Sequence, residues 1–82
     1  SRYAFIVKGP GFCLNEHTAE IRSERFSARI VGVPDYSSAL LAAQELINDG
    51  IQLIELCGGF TQLEASELQI LTGKSIPIDV VR

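Results

Sequence analysis

Gly50-Ile51-Gln52-Leu53-Ile54-Glu55-Leu56-Cys57-Gly58-Gly59-Phe60-Thr61-Gln62-Leu63-Glu64 reads as a strand, a turn and the start of a helix. Ile51 to Cys57 is a short apolar run with branched side chains, bounded by glycine on both sides, which is strand punctuation. Thr61 followed three residues later by Glu64 is a capping box: each side chain can satisfy the other residue's free backbone N–H. The helix it opens is expected to stop at Gly73.

Three further runs read as strands: Tyr3 to Val7, Phe26 to Val33 and Ile76 to Val81. Between the second and third strands, Asp35 is a helix cap. Tyr36, Ala39, Leu40, Ala43, Leu46 and Ile47 then fall on one helical stripe, and Gly50 ends it. Between the first two strands, Leu14, Thr18, Ile21 and Arg25 share one face of a helix that Asn15 could cap. The expected order is β-α-β-α-β-α-β, a single α/β domain over residues 1–82 with a four-stranded, mostly parallel sheet. Two arrangements fit. The favoured one is an open doubly wound sheet, order 2-1-3-4, with helices on both faces, because the first and third runs read as buried on both sides. The alternative is a half-barrel, order 1-2-3-4. Ser27 and Arg29 suit an edge for the second strand, and Pro77 suits an edge for the last.

The chain is 46% hydrophobic and carries seven Lys plus Arg against ten Asp plus Glu, a net charge of −3. That much apolar surface argues against disorder, and the acidity with scattered basic residues argues against nucleic acid as a partner. No apolar run has the length of a membrane span. Ser1-Arg2 leads straight into a strand-like run without a signal-peptide pattern, so the expectation is a cytoplasmic protein. Cys13 and Cys57 are expected to be free, buried thiols, and a lone His17 with them is too little for a metal. No cofactor is expected. A domain this small buries only about 60–65% of its unfolded surface, and an open sheet leaves two edges, so a homodimer is expected.

Ligands in parallel α/β sheets bind outside the carboxyl ends of the strands. Three loops meet there: Lys8 to Gly11, Gly32 to Asp35, and Cys57 to Thr61. Gly58-Gly59 before a capped helix could cradle a small anion on the N–H groups of Gly58, Gly59, Phe60 and Thr61, with Lys8 adding charge. The plain alternative is a tight β-to-α turn. Glu55, inside a strand that reads as core, is a candidate general acid or base, or else a carboxylate paired with Arg29, Lys8 or Arg82. Cys57, at the strand's end, is a candidate nucleophile or simply a small buried apolar residue. His17 reads as a solvated helix-face histidine, and Asp79 as facing solvent or a partner subunit.

At Gly50 to Phe60, together with Ala4-Phe5-Ile6, Val31-Gly32-Val33 and Ile76-Pro77-Ile78, the chain resembles a family of small microbial α/β proteins described as a domain of unknown function. Glu55-Leu56-Cys57-Gly58-Gly59-Phe60 is the most distinctive string. The resemblance covers almost the whole chain and implies one domain and no known reaction. The same segment is similar, over a short stretch, to one βα unit of (βα)8 barrels that bind phosphorylated or flavin ligands. Three functional readings follow: binding of a small anionic metabolite at the strand ends, a homo-oligomeric interaction module without a ligand, and a small enzyme using Glu55 or Cys57.

Overall fold

A computed structural model describes residues 1–81. The elements are β1 (Arg2–Lys8), β2 (Thr18–Arg22), β3 (Ser27–Val33), α1 (Tyr36–Asn48), β4 (Leu53–Leu56), α2 (Gln62–Leu71) and β5 (Ile78–Val80). They build one five-stranded sheet in the order β2-β3-β1-β4-β5. The β3-β1-β4-β5 part is parallel throughout and follows the order favoured for the four expected strands. The full order differs, because β2 adds an antiparallel strand beside β3.

That fifth strand replaces the helix expected over Leu14 to Arg25. Thr18-Ala19-Glu20-Ile21-Arg22 alternates polar and apolar residues, and all five are exposed, so there is no buried stripe to hold a helix against the sheet. Glu20 lies opposite Arg29 across the ladder, and Arg22 Nη2 donates to Glu20 Oε2 at 3.0 Å on the same side of the strand. A tight turn at Cys13 to His17 feeds the chain into β2, where Gly32 N–H donates to His17 O at 2.8 Å. With β2 outside it, β3 is an internal strand rather than an edge.

The two helices carry the expected signals. Asp35 Oδ1 accepts from Ser38 N–H at 2.8 Å and caps α1. Gly50, at φ +91, follows the C-cap Asp49. A side chain at Gly50 would also strike Arg2 Nη1, which lies 2.7 Å from where a Cβ would stand and donates to Asp49 O. Thr61 and Glu64 make both halves of the capping box on α2. Gln69, on the last turn of α2, clasps the strand beside it: its Nε2 donates to Ile76 O at 2.6 Å and its Oε1 accepts from Ile78 N–H at 3.1 Å.

Both helices lie on the same face, in contact with each other, so the sheet is not doubly wound. The core forms where that helix layer meets the sheet. Ala4, Ile6, Val31, Val33, Ile54 and Leu56 come from the strands; Ala39, Ala43, Leu46, Ala65 and Leu68 from the helices. The physical reason is parity. In β1 and β4 only alternate residues are buried: Ala4 and Ile6, then Ile54 and Leu56. Tyr3, Phe5, Val7, Leu53 and Glu55 point to the opposite face and stay half-buried. The expectation that both strands are buried on two sides is therefore overturned.

On that opposite face the chain supplies one cover of its own. The Phe12 ring lies over Gly32, where an added Cβ would stand 2.8 Å from the ring's Cγ. Only glycine leaves room for the ring there.

Candidate functional site

Of the three strand-end loops, those at Lys8 to Gly11 and Gly32 to Asp35 share one depression with Glu64 of α2. Lys8, Gly9, Pro10, Pro34, Asp35, Tyr36 and Glu64 line a wide, open depression of about 520 Å³. Lys8, the last residue of β1, reaches across it: Nζ stands 4.0 Å from Glu64 Oε1 and 4.9 Å from the centre of the Phe60 ring. The ammonium thus already has a carboxylate and an aromatic face as partners.

The N-terminus of α2 is similarly engaged. Thr61 N–H donates to Glu64 Oε1 at 2.9 Å, and Glu64 N–H donates to Thr61 Oγ1 at 3.1 Å. Phe60 N–H donates to Cys57 O at 3.1 Å. The carboxylate that a helix N-terminus attracts is supplied by Glu64 itself. Asp35 and Glu64 line the depression, and Glu67 lies close enough to act on Tyr36. Among the described residues lining this mouth, two carboxylates stand against one lysine, which disfavours an anion.

Gly58 and Gly59 are not forced by the fold. Neither lies in the left-handed region. A Cβ on Gly58 would meet nothing within 4 Å, and one on Gly59 would make ordinary contact with Cys57 Sγ at 3.5 Å and Lys8 Cε at 3.7 Å. They read as an ordinary turn between β4 and α2.

Glu55 and Cys57, the two alternative catalytic candidates, sit in different surroundings. Glu55 lies on the helix-free face, beside Phe5 on one side and Asp79 on the other in the strand register. Of its expected ion-pair partners, Arg29 donates instead to Asp49 Oδ2 at 3.0 Å, Lys8 is held by Glu64, and Arg82 lies outside the described residues. Strand β4 stops at Leu56, so Cys57 falls after it and packs against the core cluster, half-buried rather than fully buried. Its Sγ accepts from Lys8 N–H at 3.2 Å and ties the ends of β1 and β4 together. Both cysteines are free. His17, exposed and on a turn rather than a helix, accepts on Nδ1 from Cys13 N–H at 2.8 Å, and its ring tilts against Phe12 at 5.5 Å. It serves its own turn and is not Cys57's base. Asp79 Oδ1 accepts from Gln62 Nε2 at 2.9 Å, which ties β5 to the start of α2.

Tyr36 went unnoticed in the sequence as anything but core. Its hydroxyl is shut away from water, with the Glu67 carboxylate beside it. Burial first, then the Glu67 carboxylate nearby, pushes its ionisation above the ordinary tyrosine range. The phenol is held protonated, as a donor facing acidic neighbours.

A second depression, about 260 Å³, lies between α1 and the helix-side surface of β2 and β3, floored by Leu14, Val31, Ala42 and Leu46. Among the described residues no cluster of His, Cys, Asp and Glu could hold a metal ion, and no helix is long and apolar enough to cross a membrane. No curated protein and no solved structure matches the chain. A family model does, over residues 1–82, and the chain belongs to that family, one of unknown function (DUF6506).

Proposed function

We propose that this chain is a cytoplasmic, homodimeric interaction module that works through apolar surface and needs no ligand at its strand ends. The observation that carries it is the distribution of apolar side chains. Large ones stay at the surface in number: Ile21 is 68% exposed, Leu63 70%, Ile70 60% and Leu41 56%, with Phe12, Phe26, Ile30 and Leu71 also exposed. The helix-side face of the sheet is already covered by α1 and α2, so these side chains find no cover there. Apolar patches on this scale mark association surfaces. The free thiols support a reducing compartment.

The anionic-metabolite reading has less support. Its donors at Thr61 and Lys8 are already bonded to Glu64, and the mouth is acidic. The enzyme reading also has less support: Cys57 Sγ accepts the Lys8 backbone N–H, His17 Nδ1 is engaged by Cys13 N–H, and Asp79, beside Glu55, accepts from Gln62.

Native mass spectrometry of freshly purified protein tests the proposal. A dimer without added mass is the expected result. A monomer that retains a reproducible small molecule overturns it in favour of metabolite binding.

A further inference from the structure

The helix-free face of the sheet presents a continuous apolar surface across four strands. Strand parity places Ala19 and Ile21 of β2, Ala28 and Ile30 of β3, Tyr3, Phe5 and Val7 of β1, and Leu53 of β4 on it. They are laterally in register: Ile21 beside Ala28 beside Tyr3 beside Leu53, and Ala19 beside Ile30 beside Phe5. Phe26 extends the patch at one end, edge-on to Tyr3 with ring centres 5.1 Å apart, and Phe12 extends it over Gly32. Among the described strand residues on this face, charge enters at the β4–β5 corner, with Glu55 and, at the edge, Asp79, whose carboxylate accepts from Gln62. On the helix layer, by contrast, the exposed Leu63 and Ile70 are separated by Ser66 and Glu67 on the same stripe of α2.

We infer that a second copy of this chain covers this face, the two sheets stacking back to back with Phe5 and Ile30 at the centre and Glu55 at the rim. This rests on the self-association proposed above and names its surface. Area argues for it. With strands about 4.8 Å apart and about 3.3 Å per residue, strands of seven, five, seven, four and three residues present a face of about 400 Å² per copy. Two copies together cover about 800 Å² of strand, and Phe12 and Phe26 at the ends of the patch bring the total toward the roughly 1,000 Å² at which specific interfaces begin. Relief argues for it too. Large side chains (Tyr3, Phe5, Ile30) alternate with small ones (Ala19, Ala28) on the same surface, so two copies offer each other both knobs and hollows. Stacked sheets sit about 10 Å apart with interleaved side chains, which such relief permits.

The competing arrangement is edge pairing, in which β2 of each copy joins the sheets side by side. The two are separable. Gly32 N–H bonds to His17 O, so by alternation Ala19 and Ile21 are the β2 residues whose backbone faces β3, and Glu20 points its N–H outward. Glu20→Pro therefore blocks edge pairing and leaves the β2–β3 ladder intact. Ile30→Glu puts a charge at the centre of the face, where Ile30 is already 38% exposed, so the monomer is expected to tolerate it.

Sedimentation equilibrium on the wild-type chain and both variants, with circular dichroism to verify folding, reads the outcome. The expected result is a wild-type dimer, an Ile30→Glu dissociation constant raised about tenfold or more, and an unchanged Glu20→Pro. Leu53→Glu, at a second position on the face, is expected to act as Ile30→Glu does and replaces it should that variant not fold. A wild-type dimer dissociated by Glu20→Pro but not by either face variant overturns this surface and leaves self-association standing. A monomeric wild type at micromolar concentration overturns both.

Discussion

Gly32→Ala should have opposite effects in two backgrounds that differ only at Phe12. The added Cβ would stand 2.8 Å from the Phe12 Cγ and 3.0 Å from Cδ1, well inside the roughly 3.5–4.0 Å of a favourable carbon–carbon contact. Gly9 restrains the other side of the ring, since a Cβ there would lie 3.0 Å from Cε2. The ring has to lift off the sheet. Phe12 is 37% exposed, so close to two-thirds of it is covered. A fully buried phenylalanine side chain contributes about 1.5–3 kcal/mol, which makes the covered part worth about 1–2 kcal/mol. Replacing glycine by alanine within a strand returns about 0.5–1 kcal/mol of that. In the wild-type background Gly32→Ala therefore destabilises by up to about 1.5 kcal/mol. In Phe12→Ala, where no ring is in the way, it stabilises by about 0.5–1 kcal/mol. The assay is urea unfolding followed by far-UV circular dichroism at one fixed protein concentration, so that any self-association contributes equally. Equal effects of Gly32→Ala in both backgrounds, within about 0.5 kcal/mol, would refute the claim that the ring's seat dictates glycine.

Four other outcomes are expected. Leu68→Ala, at a fully buried site facing β5 and the sheet, should cost about 2–5 kcal/mol in the same unfolding measurement. Thr61→Ala removes half of the capping box and should cost about 1 kcal/mol, with faster amide exchange confined to the first turn of α2. Gln69→Leu keeps the apolar stem but loses both bonds to the β5 segment; hydrogen exchange at Ile78 should rise while the amides of β1 stay protected. Asp35 is held below its ordinary value by the Ser38 N–H it accepts, so its contribution is fully present above the unfolded carboxylate pKa and fades as pH falls through the lower folded value. Asp35→Asn caps the same N–H without titrating, and its stability deficit should shrink on acidification. A deficit that stays constant with pH would show that the carboxylate's charge does not matter.

Local chemistry was legible where one signal stood alone. Asp35, Thr61, Glu64 and Gly50 act within a turn of their own residue, so the limits of α1 and the start of α2 follow from the chain itself. The alternation of buried Ile54 and Leu56 with half-buried Leu53 and Glu55 was also present in the residues, but apolar Leu53 hid it. Residues 14–25 carried two periods at once. Leu14, Thr18 and Ile21 match a helix face; Thr18, Glu20 and Arg22 alternate with Ala19 and Ile21 as a strand does. Nothing within that segment chooses between them. The choice comes from β3, whose free edge offers a ladder and an Arg29 opposite Glu20.

The candidate site divides in the same way. The sequence places Lys8, Gly58, Gly59, Phe60 and Thr61 at the ends of adjacent strands, and parallel topology brings them together. It does not say that Glu64 turns back on both Thr61 and Lys8, because that depends on where β1 ends relative to α2 across a sheet contact between residues distant along the chain.

By itself, then, the sequence determined the α/β class, the parallel central strands, both surviving helices and their caps, since each rests on short-range periodicity or a hydrogen bond between near neighbours. Only the tertiary structure decided that 18–22 is a strand, that both helices share one face, and that Tyr3, Phe5, Ile21 and Ile30 are left together on the other. The reason is physical: an apolar residue requires burial but carries no record of which surface will provide it.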